Sequence, residues 1–440
     1  MKNVIKMSLV AAVVAGMSSV SAQAADGISI LENIKVKGEI RPRYEMVDTN
    51  NNTGNANAVT NRLVLGVGAD IAGSKMFSVY GEMTDVHAVN PDNYNGLDDS
   101  NPNNKNVVAD PEQTRLTQAY LDIKGGGALL RSGRQMINLD NQRFVGAVGW
   151  RQMPQTFDGF LAAYTGVENL HLAAAYLTSV NRVFAPGGVD NTPAKPDELN
   201  TKTIVLHAQY KVADYLTVTA YDYMLGAGTG DNSGATNGVG SDTMGIALTG
   251  KPKLSDSLTL NYRAEYAVMV DPTLDSPQYR GTNDGYDADY YNLVLGMNMS
   301  GILAGINYEY QSGKATGDTS TDNKTFKTAL GTNHKFNGWA DVFLSTPVQG
   351  LEDLNLMVGY KSKQVGVLKA VYHEFTSAED SIDYGKEIDL LYKRAIPGVK
   401  NLTGMLKYAD YSADDSAASG NPKATDVQKF WVMLDYKFSN

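Results

Sequence analysis

The chain has no cysteine, which removes disulfides, thiolate metal ligands and cysteine nucleophiles at once. Histidine is scarce. The five histidines, His87, His171, His207, His334 and His373, stand in no HExxH pair and beside no GxSxG elbow, so no catalytic constellation is marked and no enzyme is expected. Basic residues number 38 against 48 acidic ones, and a net charge of -10 has the wrong sign for a nucleic-acid partner. After the first two dozen residues no apolar run approaches the roughly 18 residues of a spanning helix.

Residues 1–24 read as an export leader, with Lys2 and Lys6 as its basic start, Met7 to Met17 as its apolar stretch and Ala22-Gln23-Ala24 as a small-residue cleavage site. Its removal leaves residues 25–440, expected to form one domain, with 36 basic against 48 acidic residues and a net charge of -12. An exported chain without a spanning helix is either soluble or a membrane β-barrel.

The dominant pattern along the chain is alternation. Ile34, Val36, Gly38, Ile40, Pro42, Tyr44 and Met46 interleave with Lys35, Lys37, Glu39, Arg41, Arg43 and Glu45, a period of two that gives a strand two unlike faces. The pattern returns over residues 258–268 and 430–438. Weaker copies occupy 60–71, 76–86, 113–124, 128–137, 156–165, 170–181, 201–211, 215–225, 241–251, 288–299, 302–312, 354–362, 367–376, 386–394 and 401–411, for eighteen expected strands. No long window has helical periodicity.

Connections between these segments alternate short and long: eight short turns and nine long loops. Short periplasmic turns, long external loops and both termini on the short side are the mark of an outer-membrane barrel. A nineteenth strand at 338–346 would break this parity, so 313–353 is expected to be one loop. Soluble sandwiches also alternate, but Tyr44, Tyr210, Tyr266, Tyr310, Tyr360 and Tyr436 gather toward strand ends, as an interfacial girdle requires. The expected fold is therefore an all-β, transmembrane, antiparallel up-and-down barrel of eighteen strands. Pro42, which lacks a ladder donor, and Asp222, on the apolar face of its strand, call for bulges.

With apolar faces toward lipid, the polar faces line a lumen. An eighteen-stranded barrel is wide enough to hold water, and charge rings and inward loops then set selectivity. The wall candidates are Arg41, Arg43, Arg62, Glu82, Arg134, Arg263, Glu265, Glu309 and Lys361, within a set of assigned wall charges that is nearly balanced in sign. Two loops mix aromatics with charge and are candidates for the constriction: 138–155, carrying Arg143, Trp150 and Arg151, and 313–353, carrying Lys327, His334, Lys335, Trp339 and Asp341. Each charge has an equally physical reading as a cross-strand pair that stiffens a wet wall. Asp284, Asp287 and Asp289 form a weak candidate for an external Ca²⁺, without EF-hand spacing. Gly226, Gly228 and Gly230 imitate part of a nucleotide fingerprint but precede no helix, and no cofactor motif is present.

Several segments resemble the alginate-export type of outer-membrane porin: Gly133-Arg134-Gln135, Asp140, Arg143, Trp150-Arg151-Gln152 and Phe157-Asp158, then Gly331 to Asp341, Gly359-Tyr360-Lys361, Tyr372-His373-Glu374-Phe375 and Tyr384-Gly385-Lys386-Glu387. The resemblance implies an eighteen-stranded barrel in outer-membrane lipid and an anionic polymer as cargo. The near-balanced wall departs from the strongly basic lumen such cargo asks for. The last strand, a handle for the barrel-assembly machinery, ends Phe438-Ser439-Asn440 rather than on an aromatic residue. Three functions follow as expectations: a passive porin for small hydrophilic solutes or ions, an export conduit for an anionic polysaccharide, and a plugged structural or adhesive barrel. Homo-oligomers are common among porins, but nothing in the sequence separates monomer from trimer.

Overall fold

The computed structural model describes residues 30–51, 53–97, 104–186, 197–226, 240–274, 285–414 and 420–440. The expected leader, Asp284, Gly228 and Gly230 lie outside them. The strands are β1 (Leu31–Thr49), β2 (Ala56–Ile71), β3 (Ser74–Ala88), β4 (Gln113–Gly125), β5 (Ala128–Gln135), β6 (Thr156–Tyr164), β7 (Leu170–Asn181), β8 (Glu198–Ala213) and β9 (Leu216–Leu225). There follow β10 (Ser241–Gly250), β11 (Leu258–Val270), β12 (Asp287–Met299), β13 (Ile302–Gln311), β14 (Leu351–Ser362), β15 (Gly366–Thr376), β16 (Asp383–Ala395), β17 (Leu402–Ala413) and β18 (Val427–Ser439). Each strand pairs antiparallel with the next, and β1 pairs with β18, so the 18-stranded sheet closes on itself and has no edge.

Every expected strand is present, and residues 312–350 cross between β13 and β14 with only a 3-10 turn at Asn333–Lys335, since β14 starts three residues before the expected 354. The two faces meet different surroundings. Leu295, Ile306 and Leu356 lie side by side across β12, β13 and β14 and are 55%, 44% and 53% exposed, whereas Asn292, Glu309 and Asp353 form an inner row in the same ladders. Large apolar groups that stay exposed in a closed sheet belong against lipid. Tyr210, Tyr360 and Tyr436 sit outward near the short-turn ends and Tyr266 toward the long-loop end.

Neither expected bulge occurs. The β1–β18 ladder lapses at Arg41 and Pro42 and resumes in the same register, so the missing proline donor falls in the gap. Asp222 pairs in unbroken register with Leu206 and Met244, both exposed outward. It stays on the outer face, near the long-loop end of β9, where a charge costs less than at the bilayer centre.

The register also corrects Arg134. Gln135 and Phe157 are a ladder pair sealed inside, so the adjacent pair Arg134 and Asp158 faces outward, beside the carbonyl of Leu116. Its Nε and Nη2 each lie 2.7 Å from an Asp158 carboxylate oxygen. The arginine that does face inward is Arg131, held by Asp122 at 2.6 Å. Between them Gly133 has φ +127°, and a Cβ there would lie 2.2 Å from the carbonyl oxygen of Ala119, so only glycine fits.

The inner surface is not wholly polar. Three buried apolar clusters lie inside the barrel: one around Phe157, Tyr221, Tyr290 and Phe326, one around Phe343, Phe375, Tyr411 and Trp431, and a smaller one around Val47, Tyr94 and Val108. Phe326 and Phe343 come from the loop after β13, and Phe144 and Trp150, from the loop after β5, pack against the first two clusters. Both loops therefore fold inward onto the wall.

Candidate channel constriction

The first loop, between β5 and β6, is fastened to β1. Arg41 donates from Nε to Gln152 Oε1 at 2.9 Å, from Nη2 to the Arg151 carbonyl at 2.6 Å and from Nη1 to the Gly149 carbonyl at 3.1 Å. Arg43 donates to the Trp150 carbonyl at 2.7 Å and pairs with Asp110. Arginine's planar fork suits several carbonyls on one loop in a way that a lysine cannot match. Arg151 turns back to the wall, 3.2 Å from Glu45, and reaches across to Asp341 of the second loop at 2.9 Å.

The loops are joined to one another by a parallel bridge between Val145 and Leu330 and by Arg143, whose Nη2 donates to Asn337 at 2.8 Å. The second loop is fastened to β13 and β16. Asn337 donates to Glu309 at 3.0 Å, the Trp339 amide to Asp389 at 3.2 Å and the Ala340 amide to Glu387 at 2.7 Å. His373 completes that acidic wall, with Nδ1 2.9 Å from Asp353 and Nε2 3.5 Å from Asp389. Buried charges need partners of opposite sign: Glu309 has Arg143, and Asp353 and Asp389 have His373, whereas Glu387 is held by the Ala340 amide.

His334, on the second loop, has Nδ1 2.5 Å from Asp341 and Nε2 2.7 Å from Lys407 Nζ, while Lys429 lies 2.8 Å from Asp341. Burial lowers the His334 pKa to about 3, against the pull of Asp341, so the ring is neutral at ordinary pH. Burial alone would raise the Asp341 carboxyl, but His334, Lys429 and Arg151 outweigh it and hold it well below the usual carboxylate range. A neutral ring donates from Nδ1 and accepts at Nε2, which orders Asp341, His334 and Lys407 into one chain of hydrogen bonds.

Beside the loops a pocket of about 260 Å³ is lined by Asn261, Arg263, Asn292, Asn355, Lys369 and His373 from the wall and by Lys335 and Trp339 from the second loop. Arg263 is 2.7 Å from Glu265 and pairs with Asp140, and Lys335 donates to the Asn141 carbonyl at 2.8 Å.

The structure thus brings Arg41, Arg43 and Arg151 together, pairs Arg143 with Glu309, sets Arg62 beside Glu39 at 3.6 Å, and puts Arg263, Glu309 and Lys335 at the pocket, with Glu265 behind Arg263. Glu82 stays on the inner wall, accepting from Tyr80 at 2.6 Å and Gln118 at 2.9 Å. Lys327 and Lys361 do not join them. Lys327 is half-buried near Lys423, whereas Lys361 is exposed at the short-turn end of β14. Of the expected Ca²⁺ ligands, Asp284 lies outside the described residues and Asp289 accepts from Tyr266 at 2.6 Å; no cluster of three possible metal ligands exists among the described residues. The sequence reading missed Asp110 and Lys429. Asp110 is fully buried and also accepts from the Gln152 amide at 2.7 Å, but lies 67 residues from its partner Arg43 in a segment that reads as an acidic external loop.

A closed antiparallel barrel with an apolar outside, alternating loop lengths and inward-folded loops is an outer-membrane-type β-barrel. The alginate-export family matches residues 33–405, and the chain belongs to that family. Among solved structures, OccAB2 of Acinetobacter baumannii superimposes with a TM-score of 0.67 at 16% identity, covering 93% of this chain and 99% of that one. OpdK of Pseudomonas aeruginosa, solved with vanillate, gives 0.67 at 14% identity over 93% of this chain and 100% of its own. OpdK described as an outer-membrane protein gives 0.66 at 13%, with the same coverage. No curated protein matches the chain in sequence.

Proposed function

We propose that the chain is an outer-membrane channel through which small hydrophilic solutes or ions pass down their own gradients. The observation that carries this reading is the tethering of both inward loops to the barrel wall, the first to β1 and the second to β13 and β16, with a polar pocket left beside them. A tube wide enough for water is thereby narrowed at a fixed place rather than by a wandering loop. Arg41, Arg43, Arg62, Glu82, Arg143, Arg151, Arg263, Glu265, Glu309 and Lys335 border or brace the narrowing. Lys327 and Lys361 belong to its two mouths. Residues 1–24 serve as the export leader, and β18 is the strand offered to the assembly machinery.

Two other readings have a specific observation each. The apolar clusters inside the barrel favour a plugged scaffold. The family's description favours a path for an anionic polymer. Against the latter, Arg43, Arg143 and Arg151 are each paired with a carboxylate, which leaves Lys335 and Lys369 at the pocket as the cations to draw a polyanion, short of a strongly basic lumen. Swelling of liposomes carrying the folded protein, in neutral sugars of increasing size, tests the proposal. Swelling with small sugars and a sharp size limit is expected; no swelling from a correctly folded barrel would favour the plug.

A further inference from the structure

The chain contains three tryptophans, and all three face one lysine. Lys407 Nζ lies 4.0 Å from the ring centre of Trp339, 4.3 Å from that of Trp150 and 5.2 Å from that of Trp431. The three rings come from three separate places: Trp150 from the first inward loop, Trp339 from the second, and Trp431 from β18, directly opposite Lys407 in the β17–β18 ladder. His334 closes the box, stacked on Trp150 at 4.5 Å with its Nε2 2.7 Å from the ammonium. Among the described residues the indole N–H groups of Trp150 and Trp431 have no hydrogen-bond partner, and Lys407 meets these rings over their faces. An aromatic face attracts a cation within about 6 Å, and more strongly once water is excluded.

We propose that Lys407 is a latch, a positioning residue whose ammonium gathers one ring from each loop and one from the wall and so fixes both loops at the constriction. A neutral side chain of equal length fills the box but attracts none of the rings and leaves His334 Nε2 without its donor. The loops then lose their common anchor on the β17–β18 wall. That the latch sets a channel aperture rests on the channel reading above; that it fixes the loops does not.

The test uses the full-length folded protein and the variants Lys407→Met and Lys407→Arg, with heat-modifiable gel migration to establish that the barrel is closed. Because every tryptophan belongs to the box, quenching of total tryptophan emission by acrylamide reads the latch alone. The expected result is increased quenching and a higher single-channel conductance in Lys407→Met, with both values returned toward wild type in Lys407→Arg, whose cation can still sit on the rings. A closed Lys407→Met barrel with unchanged quenching would overturn the latch. Should Lys407→Met fail to close, Trp339→Leu, which removes the second loop's aromatic face and leaves Lys407 in place, must raise quenching of the remaining tryptophans, and no rise would overturn it as well. A wild-type barrel silent in bilayers would remove the channel reading, while the quenching comparison would still decide the latch.

Discussion

Arg143 and Glu309 form an ion pair of 2.6 Å in which both side chains are at most 2% exposed, and it joins the loop after β5 to the wall strand β13. Removing one member of such a pair leaves a buried charge without compensation, which costs roughly 3–5 kcal/mol. Arg143→Met should therefore lower the unfolding midpoint markedly. The double variant Arg143→Met/Glu309→Leu should recover much of the loss, since neither charge is then stranded. Thermal unfolding of the four proteins of this cycle checks it, and simple additivity of the two losses would contradict the pairing.

Stability should fall with acid because of His334. Its folded pKa of about 3 lies below the ordinary 6.5, so between those values the unfolded chain binds the extra proton and the folded one does not. The contribution is a loss of stability as pH falls through that window, up to about 1.4 kcal/mol per pH unit. Asp341 adds a second loss only below the ordinary carboxylate pKa of 3.8, as pH falls toward its own depressed value. Unfolding midpoints measured from pH 7 down to about 4 should slope downward, and His334→Gln should flatten that slope. An equal slope in the variant would assign the acid sensitivity elsewhere.

The two faces of β14 should respond oppositely to the same charge. Leu356, 53% exposed on the outer face, should not tolerate arginine: the expected cost near the bilayer centre is about 2–4 kcal/mol, read as lost heat-modifiable barrel. Its neighbour Asn355 lines the inner pocket, and Asn355→Arg should fold normally and shift ion preference toward anions. Equal folding yields for both variants would refute the assignment of faces.

Deleting residues 318–346 removes Lys335, Asn337, Trp339 and Asp341, the groups that tie the second loop to the wall and to the first loop. Single-channel conductance should rise. Unchanged conductance would take this loop out of the pore.

The strands were legible because each separates two different surroundings: Ile306 faces outward and Asn307 inward, and that contrast repeats in the sequence with a period of two. Their ends were less so. Above the membrane the outward side meets water, the contrast fades, and β1 runs on to Thr49 through Asp48. The side-chain direction of Arg134 was hidden because Leu129 and Leu130 are consecutive apolar residues, which leave the phase of β5 open. The inward folding of the two loops was legible from Trp150 and Trp339, aromatics that a free external loop has no reason to carry. Their anchors were not, since Arg43 and Asp110 or Lys407 and His334 are brought together only by closure of the barrel, and no local period records it.

Barrel closure and the two inward loops together predict a narrowed, water-filled channel. Reconstitution of the full exported chain in a planar bilayer, with conductance and reversal potential recorded across a salt gradient, tests it most directly. Steady conductance steps with a finite reversal potential are predicted, the sign reporting which charges border the narrowing. A barrel that migrates as folded on the gel and yet passes no current would contradict the claim.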